Sequence, residues 1–260
     1  GSPTDGPGTG AEVRGLLEME RRFVTARLRR GAKRVWVEPA CGSGRYLLEL
    51  VKREEEVRAV GVDLEAGMVE FARARAARMG VEGRVEFVAG DMTRMDRVVP
   101  RASFGFCLIN SVRHLAGERA MREHLRSMGR VLEEGGAYAV GLSLSAYGRE
   151  EDSEDVWRGR RGAWSVSQVV QYVQPAAGLS EAEGGREELV VSHLTIRRER
   201  ADGREEVEHR DSSYRLRCYN LSQWRATVRG AGLKVVAVVD ERGREMEPSE
   251  PGYAIWILTR

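Results

Sequence analysis

At 260 residues the chain has room for one α/β domain with an insertion, or for two small domains. Its 42 basic and 40 acidic residues leave a formal net charge of +2 and are interspersed, which argues against a basic nucleic-acid surface. No apolar run approaches the ~20 residues needed to span a bilayer, no signal peptide is visible, and Cys41, Cys107 and Cys218 have neither disulfide-framework nor zinc-site spacing. A cytoplasmic protein with no metal and no membrane partner is expected.

Residues 1–10 are too rich in glycine and proline to hold regular structure in isolation; Gly1-Ser2 has the form of a cleavage scar, the alternative being a native segment that orders over a ligand. A helix is predicted from Ala11 to Arg30, with Val13, Leu16, Leu17, Phe23, Val24 and Leu28 on one face and Gly31 at its end. Val35-Trp36-Val37 then reads as a buried strand, Pro39 to Gly44 as a turn, and Tyr46, Leu47, Leu48 and Leu50 as the apolar side of a helix. Strand, glycine turn and helix form a cradle for a phosphate or a nucleoside, because glycine admits close approach and the helix start offers unpaired N–H groups. A dinucleotide site wants a third glycine where this chain has Leu47, and Glu38 would face a pyrophosphate with the wrong sign. Those two residues count against a nicotinamide oxidoreductase and favour a cationic ligand without phosphate.

The run Glu38-Pro-Ala-Cys-Gly-Ser-Gly44 resembles the first motif of the class I S-adenosylmethionine-dependent methyltransferases, with Ala40 where glycine is usual. Arg58 to Asp63 is a second strand ending on an acid. Asp63 can accept hydrogen bonds from both ribose hydroxyls, cap the helix that runs from Leu64 to Met79, or do both. Leu64 would then lie against adenine. A third strand, Arg84 to Ala89, leads into Gly90-Asp91-Met92, matching the acid that takes the adenine amine and the apolar residue that covers the ring in this family. The resemblance implies a cofactor set of Glu38, Ala40, Gly42, Gly44, Arg45, Asp63, Leu64, Met68, Asp91, Met92 and Asn110, with S-adenosylmethionine bound and S-adenosylhomocysteine released.

Ser103 to Ile109 is a fourth strand, so Asn110 to His114 should sit beyond the carboxyl end of the sheet, where ligands bind. This stretch lacks the Asn-Pro-Pro-Tyr, Asp-Pro-Pro-Tyr and Pro-Cys motifs of nucleic-acid methylating enzymes and looks like the small-molecule methyltransferases. Asn110, Arg113 and His114 form the expected catalytic group. His114 either accepts a proton from the acceptor or packs at a helix start.

A helix from Ala120 to Leu132, the Gly135-Gly136 turn and a fifth strand, Ala137 to Ser143, follow. Residues 145–217 then change pattern. Gln168–Val173, Glu188–Ile196 and Val207–Arg217 alternate with period two between polar turns at Pro175–Gly185 and Arg200–Arg204, the signature of an antiparallel meander. Sugar-amine and glycine-type N-methyltransferases carry an inserted sheet of this kind over the substrate, which implies a homodimer through it and Tyr147, Tyr172 and Arg217 as acceptor contacts. Arginine forks at Arg113 and Arg217 suit a carboxylate, and Tyr147, Trp157, Trp164 and Tyr172 suit an amine. A helix from Asn220 to Gly232 and an antiparallel pair, Leu233–Val239 and Tyr253–Thr259, close the chain.

The sequence thus predicts a doubly wound α/β fold: a seven-stranded, mostly parallel sheet with its last strand antiparallel and a β meander inserted after the fifth strand. The expected divisions are 1–32, a flexible start and lid helix; 33–145, the cofactor core; 146–216, the insert; and 217–260, completion of the core. The resemblance covers residues 33–145 and 214–260. It implies methyl transfer to an N or O, less readily an S, nucleophile of a small molecule. A cofactor-binding regulatory protein without turnover is the alternative from another class.

Overall fold

A computed structural model describes residues 8–29, 34–175, 178, 185–200 and 202–260. Residues 1–7, Gly31, Lys33 and most of the expected Pro175–Gly185 turn lie outside them. In chain order the strands are β1 (Arg34–Pro39), β2 (Val57–Asp63), β3 (Val85–Ala89), β4 (Ala102–Cys107), β5 (Leu132–Leu144), β6 (Ser153–Arg161), β7 (Trp164–Val173), β8 (Glu187–Glu199), β9 (Glu205–Arg217), β10 (Lys234–Val239) and β11 (Gly252–Thr259). The helices are α1 (Thr9–Phe23), α2 (Ala26–Arg29), α3 (Arg45–Arg53), α4 (Ala66–Met79), α5 (Gly117–Val131) and α6 (Leu221–Gly230), with single 3₁₀ turns at Met92–Arg97 and Ser111–His114.

The chain forms two units, one ending at Leu144 and resuming at Leu221, the other spanning Ser145–Asn220. The first contains a seven-stranded sheet in the order β10-β11-β5-β4-β1-β2-β3. Its pairings are parallel except that β11 runs antiparallel to both β5 and β10. The doubly wound fold with an antiparallel last strand is as the sequence predicted. The centres of β1 and β4, Val35-Trp36-Val37 and Phe104-Gly105-Phe106, are apolar because the sheet is covered on both faces. Trp36 packs on Phe104 at 4.6 Å and on Phe106 at 6.0 Å between ring centroids.

The expected first helix is broken in two. Val24 is extended and the Thr25 N–H donates to the Gly135 carbonyl at 3.1 Å, so a tertiary hydrogen bond ends α1 where the apolar spacing alone would continue it. Val13, Leu16 and Met19 of α1 join the core cluster that holds Leu47, Leu48, Leu50 and Val51 of α3. Glu20, 2% exposed, accepts from the Trp36 indole N–H at 2.9 Å and pairs with Arg34 at the start of β1. Arg34 also reaches Glu54 at 2.9 Å.

The second unit is a four-stranded antiparallel sheet in the order β6-β7-β8-β9. Val170, Val190 and Leu216 form its small core, with Tyr172 packed against them. Three of its strands match the predicted segments. β6 was not predicted: all its residues are exposed, and charges at Glu154, Asp155, Arg158, Arg160 and Arg161 conceal any alternation.

Truncating Glu20 tests the tie between α1 and β1. Glu20→Ala leaves a buried indole N–H unpaired and removes one of two partners from Arg34, so stability should fall by about 3 kcal/mol. Urea unfolding followed by circular dichroism measures this, and a variant as stable as the parent would show that the tie contributes nothing.

Candidate active site

The cleft lies at the carboxyl ends of β1, β2 and β4, and its floor is the loop from Ala40 to Gly44. The Cys41 N–H donates to the Val62 carbonyl at 3.0 Å, extending the β1–β2 ladder into the loop. The backbone then turns through three positive φ values, +54° at Ala40, +51° at Gly42 and +67° at Gly44. A side chain at Gly44 would put its Cβ 2.4 Å from Phe87, so only glycine fits there. Ala40 pays for the same conformation without glycine's freedom.

Asp63 holds this loop. Its Oδ2 accepts from the Gly42 N–H at 2.7 Å and its Oδ1 from the Glu65 N–H at 3.0 Å. Asp63 is not the helix N-cap expected as one alternative. α4 starts at Ala66 with Glu65 at the N-cap and no side-chain cap, because the Asp63 carboxylate instead closes a turn onto the Glu65 N–H. Bonded this way, it retains lone pairs for further donors. Leu64 and Met68 follow it with 76% and 39% of their surfaces exposed, an apolar shelf beside a polar anchor.

Asp91 caps the 3₁₀ turn, accepting from the Thr93 N–H at 2.8 Å, and Met92 is half-buried at the turn's first position. The turn rests on α5. Ser127 donates to Asp96 at 2.5 Å, the Asp96 N–H returns a bond to Ser127 at 3.0 Å, and Arg130 donates to Asp96 at 2.7 Å. The Arg130 hydrogen bond, helped by Ser127 against modest burial, draws the Asp96 pKa down to about 2.

Glu38 ends β1 with 6% exposure, and its Oε2 has no hydrogen-bond partner among the described residues. Burial drives its pKa well above the usual carboxylate range, opposed by Arg45 and reinforced by Asp63. Glu38 opens on a cavity of about 240 Å³ that Ala40, Gly42, Arg45, Tyr46, Ile109 and Ser111 also line. A buried acid with an unused oxygen calls for a cationic or N–H-bearing ligand. A larger cavity, about 500 Å³, lies by the start of β2 and along β3, where Arg58, Arg84, Glu82 and Glu86 mix both signs. Of the two, the smaller cavity holds the buried acid whose Oε2 has no partner among the described residues.

Arg45 lies over the Tyr46 ring at 4.1 Å and reaches Glu12 of α1 at 3.2 Å, while the Tyr46 hydroxyl donates to the same carboxylate at 2.8 Å.

On the other side of the cavity, Ile109 and Asn110 both have positive φ, +52° and +61°. For a β-branched residue such as Ile109 this is an outlier that surrounding contacts must hold. The contacts are visible. The Ile109 N–H donates to the Tyr253 hydroxyl at 3.1 Å. Asn110 donates to Ser143 Oγ at 2.9 Å and accepts from the Ser143 N–H at 2.7 Å. The Asn110 side chain is thus committed to β5, which makes it an anchor of the turn. Ile109 itself is 56% exposed. Arg113 is buried, and partial desolvation together with the Arg113 charge holds the His114 pKa below its ordinary value, leaving a neutral imidazole at pH 7.

Glu38, Ala40, Gly42, Gly44, Arg45, Asp63, Leu64, Met68, Asp91, Met92 and the Asn110–His114 turn all lie on the unit ending at Leu144. Tyr147 and Arg217 lie on the other unit, where both the Arg217 and Arg186 charges act on the Tyr147 hydroxyl and both guanidinium groups stack on Tyr219. Tyr172 sits apart from them, with Asp155, Tyr214 and Glu188. The sequence reading did not single out Glu12, Ser143 or Tyr253. Tyr253 had no more signal than an aromatic at the start of the closing strand. Among the described residues no three His, Cys, Asp or Glu side chains are placed to hold a metal, and no helix is long and apolar enough to cross a membrane.

Known proteins resemble this chain in fold and, over part of its length, in sequence. The methyltransferase-domain family model matches residues 37–136, which span the glycine loop, Asp63, Asp91 and the Asn110–His114 turn. A 23S rRNA (uracil(1939)-C(5))-methyltransferase of Xylella fastidiosa is 42% identical over 66 residues, 25% of this chain but only 14% of that protein's length. The solved structure of Streptomyces venezuelae DesVI superposes with a TM-score of 0.72 at 19% identity, covering 98% of this chain and 92% of that one. CalS10, an amino pentose methyltransferase from Micromonospora echinaspora solved with S-adenosylmethionine bound, gives 0.68 at 19% identity over 98% and 92%.

Two outcomes test the local account. Ala40→Gly should raise stability by about 0.5–1 kcal/mol, relief of left-handed strain less the added chain entropy, read as a higher melting temperature. A drop would mean that the alanine methyl makes a contact worth more than the strain. Asp96, its pKa lower folded than unfolded, stabilises above about pH 4, and that contribution is lost as pH falls towards about 2. The stability gap between parent and Asp96→Asn should therefore close over that range in acid titrations; a constant gap would contradict the pairing.

Proposed function

We propose that this chain, a member of the class I S-adenosylmethionine-dependent methyltransferases, transfers the cofactor's methyl group to an amine nitrogen or a hydroxyl of a small molecule. The observation that carries the reading is the unpartnered, buried Glu38 carboxylate opening on a cavity floored by the glycine loop. S-Adenosylmethionine supplies a methyl group on a positively charged sulfur, activated for attack by a nucleophile. Asp63 would take the ribose hydroxyls with the lone pairs that Gly42 and Glu65 leave free. Leu64 and Met68 would cover one side of the adenine, with Asp91 and Met92 at its edge. Glu38 would receive the cationic part of the ligand, and Arg45 its carboxylate.

The chain's own contribution to catalysis is placement. Tyr253 and Ser143 hold the Ile109–Asn110 backbone in a conformation it would not adopt alone, which fixes the acceptor side relative to the glycine loop. His114, neutral at pH 7, can take the proton that an amine loses after methylation or a hydroxyl loses during it. An amine acceptor is favoured by the likeness to an amino pentose methyltransferase. RNA is disfavoured by a net charge of +2 with both signs interspersed, since RNA binding draws on clustered basic charge.

Glu38→Gln separates the ligand's charge from its shape. The folded pKa of Glu38 is raised, so its favourable contribution belongs to low pH and is lost as pH rises through the folded value. At pH 7–8 the ligand-free Glu38→Gln variant should thus be more stable than the parent, yet bind S-adenosylmethionine about tenfold more weakly by calorimetry. Equal affinity would remove Glu38 from the site, and tighter binding of NAD than of S-adenosylmethionine by the parent would overturn the function.

A further inference from the structure

Beneath the cleft lies a group of buried polar side chains that starts at α5 and ends beside the cavity wall. His124, on α5, is fully buried, with Nδ1 2.8 Å from the Met92 carbonyl and Nε2 2.7 Å from the Tyr138 hydroxyl on β5. Tyr138 is equally buried, and the Cys107 thiol at the end of β4 lies close enough to act on its hydroxyl. Val112 and Ser111, in the 3₁₀ turn at Ser111–His114, act in turn on the Cys107 thiol.

The proton positions follow from the groups present. A carbonyl only accepts, so Nδ1 carries the hydrogen and donates to Met92. Burial lowers the His124 pKa to about 4, against opposing effects of the Met92 carbonyl and Asp91, so the ring is neutral and Nε2 accepts. Tyr138 therefore donates to Nε2, and its oxygen faces the Cys107 thiol. The His124 ring is thus satisfied in one orientation only. Such a line costs desolvation that an apolar core would avoid, and its return is a fixed geometry at both ends. One end is Met92, proposed to lie at the edge of the adenine. The other is the acceptor-side turn.

We propose that His124 is a positioning residue: it sets the Met92 carbonyl, and so the adenine-side turn, and through Tyr138 and Cys107 ties that turn to Ser111–His114. The inference rests on the cofactor reading above. Three predictions separate it from a plain packing role. His124→Leu should weaken S-adenosylhomocysteine binding by roughly tenfold, the loss of one buried hydrogen bond and the orphaning of a carbonyl. His124→Asn, whose amide N–H reaches the Met92 carbonyl, should recover most of that affinity, whereas His124→Gln, which reaches Tyr138, should not. Tyr138→Phe should leave the affinity within about twofold but speed amide hydrogen exchange across residues 108–116, because it severs only the far arm.

The experiment is calorimetry with S-adenosylhomocysteine on these variants and on Leu125→Ala, well below every melting point, paired with hydrogen exchange. Leu125 is buried on the same helix, so its truncation destabilises without touching the line. Leu125→Ala should melt earlier yet bind as the parent does. If His124→Leu does not fold, the contrast between Asn and Gln still decides. Equal affinities for Asn and Gln, or weakened binding in Leu125→Ala to the same degree, would overturn the inference. Failure of the parent itself to bind S-adenosylhomocysteine would instead overturn the cofactor reading.

Discussion

One carboxylate, Asp63, holds the front of the sheet together. Its two oxygens bond the Gly42 and Glu65 N–H groups, so the end of β2 fixes both the glycine loop after β1 and the start of α4. A loop that passes through three left-handed residues would otherwise sample many conformations. Tied to β2, it presents its open face to one place. The same tie explains why an acid is wanted here even before a ligand arrives.

The acceptor side is held by a different device. Ile109 and Asn110 occupy a conformation that neither favours, and hydrogen bonds from β11 and β5 hold them there. Tyr253 approaches so closely that a side chain at Gly141 would put its Cβ 2.0 Å from the hydroxyl oxygen. Strain at this point and an unpartnered acid at Glu38 are both unfavourable in isolation. They lie on one cavity, which is where a binding protein is expected to concentrate such terms.

Much of this was legible in the sequence, for physical reasons. The β1-loop-α3 unit is local: an apolar run, glycines at fixed offsets and an apolar helix face are contiguous, so Glu38, Gly42 and Gly44 could be named directly. Asp63 and Asp91 followed from strand order, because parallel strands deliver their carboxyl ends to one edge. What escaped notice was long-range. Tyr253 reaches Ile109 across 144 positions, and the break after α1 depends on Gly135. β6 escaped because an exposed strand has no buried face to leave a period of two. His124 and Tyr138 escaped because each alone reads as an ordinary helix or strand residue.

The most direct test is a crystal soaked with S-adenosylhomocysteine. Its ribose hydroxyls should lie on Asp63, its adenine between Leu64 and the Asp91–Met92 turn, and its amino group within hydrogen-bond reach of Glu38. A nucleoside bound elsewhere, or Asp63 making no bond to the sugar, would contradict the account.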